Sequence, residues 1–226
     1  MTFKNRTEAG RQLAVRLLKY KDEAPVVLAL PRGGVPVGYE VALALDAPLD
    51  VIVVRKLGAP MQPELGIGAV VDGDHPQSVL NEDVMQMLNV SDEYLKREVE
   101  VELHEIRRRQ ERYRGGRRPE VLKDRTVIVV DDGIATGGSM RAALRGVRRA
   151  QPKRLVLAVP VAPPDTLASL RGEVDALVCL SSPAFFHAVG QFYDDFAQTT
   201  DEEVVRLLDA ARRRKAPGEA PARHIG

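Results

Sequence analysis

The sequence contains one cysteine, Cys179, and no tryptophan. A single thiol cannot form a disulfide within the chain, so the composition suits a reducing compartment. No apolar run approaches the roughly 20 residues that a membrane-spanning helix needs. The N-terminal stretch MTFKNRTEAGRQLAVRLLKY also lacks the uninterrupted apolar segment of a signal peptide. We therefore expect a cytoplasmic protein that has no membrane partner.

An excess of charge of either sign is absent as well. The 33 basic and 32 acidic residues leave a formal net charge of +1. A chain this balanced gives no global argument for binding nucleic acid or a charged membrane surface. Its 226 residues fit one large α/β domain, which can bury a core without disulfides or metal ions. We expect that domain to span residues 1–215 and the Pro- and Gly-rich residues 216–226 to form a flexible tail.

Short apolar runs alternate with helical patterns along the chain. Five of them predict buried strands: APVVLAL, PLDVIVVRKL with a strand at about 50–56, VIVV at 127–130, RLVLAVPV at 154–161 and DALVCLSS at 175–182. None shows the period-two pattern of a half-exposed strand, which favours a parallel sheet covered on both faces. We therefore predict a doubly wound α/β fold with a mainly parallel five-stranded sheet and helices on both faces.

The segment at about 57–120 interrupts that alternation. GIGAVVDG and QSVLN predict two short strands around a turn, and a long charged helix follows from Ser91. The basic run at 107–118 could contact nucleic acid or a partner, whereas the acidic residues just before it favour a solvated helix face. We expect no nucleic-acid partner, and the helix offers a surface for a homodimer.

Three predicted strands end in residues that are unusual in a core. PRGG follows the first strand, Arg55 and Lys56 end the second, and DDGIATGGS follows the third. Ligands of open parallel sheets bind beyond the carboxyl ends of the strands, where separate segments of the chain meet. We therefore expect these three segments to form one site. For Arg55 and Lys56 the alternative is a solvated strand end.

The loop after the third strand has the features of a phosphate site. Gly133, Gly137 and Gly138 allow a ligand to approach the backbone closely. The next helix begins at about Ser139, and the positive N-terminal end of a helix favours a phosphate. Thr136 and Ser139 add hydroxyl donors. The alternative for this stretch, taken alone, is an ordinary strand-to-helix turn.

Two adjacent acids precede that loop. Asp131 and Asp132 are poor core residues, and a carboxylate repels phosphate. A carboxylate does accept hydrogen bonds from hydroxyl groups, however. Since a sugar phosphate carries both kinds of group, the acids could bind a ribose diol while the loop binds its phosphate.

The run VIVVDDGIATGGS at 127–139 resembles the phosphoribosyl pyrophosphate motif of type I phosphoribosyltransferases. In that family two adjacent acids bind the ribose hydroxyls and the following loop binds the 5-phosphate. The resemblance implies that Asp131 and Asp132 bind ribose and contribute to a Mg²⁺ site, with the ion held mainly by the donor and by water. It implies a 5-phosphate site formed by Gly133, Ala135, Thr136, Gly137, Gly138 and Ser139.

The run ALPRGG at 29–34 resembles the pyrophosphate loop of the same family. The resemblance implies that Arg32, Gly33 and Gly34 face the leaving group, next to a non-proline cis peptide bond. Arg55 and Lys56 would reach the pyrophosphate from the second strand. The residues implied in catalysis are Asp131, Asp132, Arg32 and Lys56, and the segment at 57–120 would hold the family's mobile loop.

The acceptor should meet a small hood at about 181–200, completed by the N-terminal segment. Phe185 and Phe186 could stack on a base and His187 could hydrogen-bond one. The alternative is an apolar cluster that seals the sheet edge. Some family members carry a further acid within the phosphate loop that acts on the base. Here the loop has Ile134 and Ala135, so purine specificity is not implied.

The resemblance implies a Mg²⁺-dependent transfer of the phosphoribosyl group from phosphoribosyl pyrophosphate to a nucleobase-like acceptor, as in nucleotide salvage. A non-catalytic protein of the same fold that senses this ligand is the alternative. The PRGG and Arg55–Lys56 segments favour the enzyme, since a sensor needs no leaving-group chemistry. A nicotinamide-dependent oxidoreductase is excluded by the missing GxGxxG motif.

Overall fold

The computed structural model describes residues 2–73 and 76–215, apart from the side chains of Glu64 and Lys215. The predicted tail at 216–226 lies outside the described residues. The strands are β1 Val26–Ala29, β2 Leu49–Val51, β3 Val54–Ala59, β4 Gln62–Val71, β5 Gln77–Leu80, β6 Thr126–Val130, β7 Arg154–Val161 and β8 Ala176–Ser181. The helices are α1 Arg6–Leu17, α2 Gly34–Leu45, α3 Glu82–Met87, α4 Asp92–Arg114, α5 Gly138–Arg149, α6 Pro164–Leu170 and α7 Asp201–Lys215. Within the described ranges, no helix combines the length and apolarity needed to cross a membrane.

Five strands form the central sheet, in the order β2-β1-β6-β7-β8, and every neighbouring pair is parallel. All residues of β6 are buried. Ile128 and Val130 pack with the core residues of α1, α2 and α7, whereas Val127 and Val129 pack with those of α5 and α6. The predicted doubly wound α/β fold is confirmed. The strands lack a period-two pattern because helices cover both faces of the sheet.

The predicted second strand is wrong in its extent. The chain leaves the central sheet after Val51 and begins again at Val54 as β3, which pairs antiparallel with β4. β3, β4 and β5 form a separate three-stranded sheet, here called the flap sheet. The apolar run continues through both strands, so its composition does not reveal that the pairing partner changes. The strands predicted from GIGAVVDG and QSVLN appear as β4 and β5.

The long charged helix α4 holds the flap sheet against the core. It begins after Ser91, whose Oγ accepts a hydrogen bond from the Tyr94 N–H, as the sequence predicts. Its Tyr94 hydroxyl donates to the Gly58 carbonyl over 3.0 Å, and Glu102 pairs with Arg55 at 2.6 Å. Ile106 of this helix is fully buried. The inserted helix is therefore part of the framework that positions β3.

Most of the basic run at 107–118 is neutralised inside the chain. The ion pairs are Arg108 and Arg109 with Glu105, Arg112 with Asp201, Arg114 with Asp50 and Arg117 with Asp209. A stretch whose charges are paired presents a weaker positive field than its sequence indicates. The run therefore joins helices and strands of this chain to one another.

A buried ion network closes the end of α4. Arg114 is 4% exposed, and its Nε is 3.0 Å from Oδ1 of Asp50. Its Nη1 is 3.1 Å from Oδ2 of Asp72, and its Nη2 donates to the Val51 carbonyl over 2.7 Å. The network joins α4 to the end of β2 and to the residue after β4. It therefore joins the flap sheet to the central sheet at a single side chain.

Asp72 should make the stability of this network depend on pH. Burial raises the pKa of Asp72 to about 6, although Arg114 opposes the rise. An unfolded aspartate titrates at about 3.9, so the folded chain binds this proton more tightly. The resulting stabilisation is complete below about pH 4 and is lost as the pH rises through about 6. We expect the stability advantage of wild type over Asp72→Asn to fall by about 2 kcal/mol between pH 4 and pH 7.

Urea unfolding at a series of pH values measures this difference. Asp124→Asn is the matched control, because Asp124 is exposed and has a positive φ that asparagine tolerates. The control should follow the wild-type curve at every pH. A wild type and an Asp72→Asn variant with parallel curves would contradict the expectation.

Candidate active site

The two adjacent acids lie just beyond the end of a strand. β6 ends at Val130, and Oδ1 of Asp131 accepts a hydrogen bond from the Asp132 N–H over 2.8 Å. Consecutive side chains of a strand point to opposite faces, but Asp131 and Asp132 have already left the ladder. Asp132 is 9% exposed and Asp131 is half-buried. Both acids therefore lie at the carboxyl edge of the central sheet.

The PRGG loop packs directly on these acids. A Cβ atom at Gly33 would lie 2.1 Å from Oδ2 of Asp132, and one at Gly34 would lie 2.9 Å from Cα of Asp131. No side chain larger than hydrogen fits at either glycine without a shift. The peptide bond between Pro31 and Arg32 is cis, as the resemblance implies. The structure thus brings the loops that follow β1 and β6 into contact.

The glycine loop leads into α5 with uncapped amides. Gly137 is the N-cap residue, with a φ of 81°, and in this part of the chain no side chain caps the helix. Such a helix end presents backbone N–H groups and a positive dipole to an anion. Thr136, Gly138 and Ser139 line a cleft of about 890 Å³ that extends beneath the flap sheet. Thr166 supports the loop from behind, because its Oγ1 donates to the Ala135 carbonyl over 2.7 Å. The loop therefore offers backbone donors that suit an anion.

Arg55 and Lys56 occupy different surroundings. Lys56 lines the cleft together with Thr136 and Ser139. Arg55 points to α4, where its Nε lies 2.6 Å from Oε2 of Glu102, and this hydrogen bond raises the pKa of Arg55. Side chains alternate along β3, so the two neighbours cannot face the same ligand. The structure brings Lys56 to the cleft beside the glycine loop and directs Arg55 to α4.

A residue that the sequence did not indicate binds the acid pair. Nε of Arg6 is 2.7 Å from Oδ2 of Asp132, and its Nη1 donates to the Ala197 carbonyl over 2.7 Å. Its guanidinium lies over the Phe196 ring, 4.0 Å from the centroid. The Tyr193 hydroxyl donates to the backbone carbonyl of Asp132. Arg6 and Asp132 are too far apart in sequence for a local pattern to show the pair.

The positive charge near the acid pair does not offset the burial of its two carboxylates. Burial and the charge of Asp132 raise the pKa of Asp131 well above its ordinary value. Burial also raises the pKa of Asp132, although Arg6 opposes the rise. Two carboxylates in a poorly solvated place with one arginine favour any further positive charge that arrives. The site therefore suits a ligand that carries or develops positive charge beside its hydroxyl groups.

The hood is an apolar cluster over the sheet edge. Phe186 packs against Phe192 in a tilted pair with ring centroids 5.1 Å apart, and Phe192 and Tyr193 pack with Phe3 of the N-terminal segment. Phe186 therefore belongs to an apolar cluster that seals the sheet edge, which was the alternative to stacking on a base. Phe185 is 87% exposed. His187 is exposed, and its backbone N–H donates to Gln191.

Known proteins resemble this chain in sequence and in fold. The profile of the phosphoribosyl transferase domain matches residues 3–197. A Mycobacterium tuberculosis H37Rv protein named a "Putative phosphoribosyl transferase" is 49% identical over 211 residues, which are 93% of this chain and 47% of that protein. The crystal structure of TT1426 from Thermus thermophilus superposes with a TM-score of 0.81 at 46% identity, over 92% of this chain and 98% of that chain.

The matches in sequence and in fold agree on one protein family. The chain belongs to the phosphoribosyl transferase domain family. The resemblance carried by VIVVDDGIATGGS and PRGG is thereby confirmed at the level of the family. The chain spans about half the length of the curated relatives it matches.

Proposed function

We propose that the chain transfers the 5-phosphoribosyl group of phosphoribosyl pyrophosphate to a nucleobase-like acceptor and releases pyrophosphate. The contact of Gly33 and Gly34 with Asp131 and Asp132 carries this proposal. It puts groups suited to a leaving anion against groups suited to a ribose, with an anion loop beside both. Phosphoribosyl pyrophosphate has a pyrophosphate, a ribose and a 5-phosphate, which match these three sets of groups.

Each part of the donor has a site in this scheme. The uncapped amides of the loop that ends at Ser139 bind the 5-phosphate, and Asp131 accepts hydrogen bonds from the ribose hydroxyls. Arg32 and Lys56 stabilise the pyrophosphate. The C1–O bond breaks with its electron pair going to pyrophosphate, and a nitrogen lone pair of the acceptor forms the new bond to C1. The acids stabilise the positive charge that develops on the ribose between these events.

The residues present fit a magnesium ion that arrives with the donor. Carboxylate oxygens suit Mg²⁺, which usually keeps waters and binds through substrate oxygens. Across residues 2–73 and 76–215, no group of three or more His, Cys, Asp or Glu residues could hold a metal ion. Asp131 would be the protein ligand, since the Asp132 carboxylate is paired with Arg6. When bound, the ion would neutralise charge on the departing pyrophosphate.

The acceptor would enter between the acid pair and the hood. Phe185 and His187 are exposed there, whereas Phe186 packs against Phe192 within the hood cluster. Ile134 is buried and Ala135 is exposed, so the loop offers no acid that could act on a base. We therefore expect an acceptor whose nitrogen reacts without a general base from this loop.

Incubation with phosphoribosyl pyrophosphate, Mg²⁺ and a pool of nucleobases tests the proposal. Mass spectrometry should find a nucleotide, and pyrophosphate should appear in equal amount. A matched sample with both Asp131 and Asp132 replaced by asparagine should yield neither. Tight donor binding with no product from any base would instead support the non-catalytic sensor.

Gly34→Ala should damage the site while the fold is retained. The new methyl group would meet Cα of Asp131 and the Val130 carbonyl, both at 2.9 Å and both backbone atoms that cannot rotate away. The PRGG loop must then move from the acids, and a displacement of this size costs about 100-fold in rate. Steady-state turnover measures the loss. Gly172→Ala is the control, because no atom lies within 4 Å of its Cβ position. Equal turnover of the two variants would show that the contact is not required.

A further inference from the structure

Asp201 lies beside Arg32 of the PRGG loop but accepts no hydrogen bond from its guanidinium. Nη1 of Arg32 is 4.0 Å from Oδ1 of Asp201, and the Arg32 side chain is 37% exposed. This separation is an ionic contact that exceeds hydrogen-bond length. Among the residues that the structure describes, no acceptor takes a hydrogen bond from this guanidinium. Arg32 is therefore oriented by charge, and its N–H groups remain available to a ligand.

The carboxylate of Asp201 is fixed by the end of the inserted helix. The Tyr113 hydroxyl donates to Oδ1 over 2.7 Å, and Nε of Arg112 is 3.3 Å from Oδ2. Tyr113 is 1% exposed, and burial raises its pKa to about 12. The phenol therefore keeps its proton and remains a donor at neutral pH. Both carboxylate oxygens thus have a partner on α4.

We propose that Asp201 is a positioning residue for Arg32 and that its charge sets the affinity of the site for pyrophosphate; this inference rests on the proposed function. Asp201 attracts the guanidinium to one place beside Gly33 and Gly34. When Arg32 binds a polyanion it gives up part of this attraction, so Asp201 competes with the ligand for the guanidinium. The pyrophosphate therefore meets an arginine that is aligned but partly neutralised, which favours release once the C1–O bond has broken.

The inserted helix α4 contributes to the positions of both cations. The last turn of α4 fixes Asp201 through Tyr113, while an earlier part of α4 holds β3 through Tyr94 and Glu102. β3 carries Lys56, the other cation expected at the pyrophosphate. A single helix therefore sets the positions of both cations.

Calorimetric titration with pyrophosphate in Mg²⁺, and separately with ribose 5-phosphate, tests the proposal. In D201N the amide oxygen still accepts from Tyr113, so mainly the charge is lost. Two charges 4 Å apart in water change an equilibrium constant about fivefold, so D201N should bind pyrophosphate about five times more tightly. Its affinity for ribose 5-phosphate should stay at the wild-type value. D209N, which removes an acid of the same helix that is paired with Arg117, should change neither affinity.

A double-mutant cycle shows whether the effect passes through Arg32. In an Arg32→Ala background, D201N should leave the affinity for pyrophosphate unchanged. The same tightening in that background, or no tightening in the wild-type background, would overturn the inference. Weaker binding of both ligands by D201N would show a merely structural role and would overturn it too. A wild-type chain that binds neither ligand would overturn the proposed function with it, whereas the other outcomes leave that function standing.

Discussion

Replacement of both Asp131 and Asp132 by asparagine should abolish donor binding in isothermal calorimetry with Mg²⁺. Hydrogen bonds to charged acceptors contribute about 1.5–3 kcal/mol each, so loss of two weakens binding by at least 100-fold. The effect is large because water has little access to the acid pair, in which Asp132 is 9% exposed. Unchanged affinity would show that these acids do not bind the ribose.

The hood supplies a matched control for this experiment. Asp194 and Asp195 are also adjacent aspartates, and both are exposed. Oδ1 of Asp195 accepts from the Ala197 N–H, a bond that asparagine retains. Replacement of this pair by asparagine changes the net charge by the same amount and should leave donor affinity intact. A similar loss in both double variants would point to overall charge as the cause.

The single variant Asp131→Asn separates function from stability. Its raised pKa means that the ionised carboxylate costs folding free energy at neutral pH, whereas an uncharged amide resembles the protonated acid. The amide oxygen can still accept from the Asp132 N–H. We therefore expect a melting temperature equal to or above that of wild type, together with weaker donor binding. A lower melting temperature would show that the ionised Asp131 stabilises the fold.

Features determined by local sequence were predictable. The buried strands follow from apolar runs without alternation, and the start of α4 follows from the hydroxyl of Ser91 before a helical pattern. The acid pair and the glycine loop are contiguous, so one stretch of sequence contains most of the anion site. The cis bond before Arg32 followed from the resemblance of PRGG to a known loop.

Features determined by pairing between distant segments were not predictable. Whether Lys56 or Arg55 faces the cleft depends on the strand with which β3 pairs. An apolar run is compatible with pairing in the central sheet or in the flap sheet. Arg6 and Asp201 reach the site from opposite ends of the chain, each in the first turn of an ordinary helix. Nothing in their neighbouring residues distinguishes them from other charged residues. Only the three-dimensional arrangement identifies them.

Arg32→Ala should slow turnover by about 100- to 1000-fold, as loss of a preorganised group that stabilises developing charge does. Binding of ribose 5-phosphate should remain near the wild-type value, because that ligand lacks the pyrophosphate that Arg32 contacts. The expected signature is a fall in kcat without a matching rise in the Kd for ribose 5-phosphate. Single-turnover kinetics and calorimetry on the same preparation measure the two quantities.

Arg11→Ala controls for the loss of an arginine, since Arg11 is a largely exposed partner of Glu40 on the outer surface. It should keep wild-type turnover and binding. Asp201 would lose the counter-charge of Arg32 in the Arg32→Ala variant but would keep Tyr113 and Arg112, so α4 and α7 should stay in place. A loss of ribose 5-phosphate affinity as large as the loss of turnover would therefore indicate that Arg32 holds the loop together. In that case the stabilisation of the leaving group would fall to Lys56 and the metal ion.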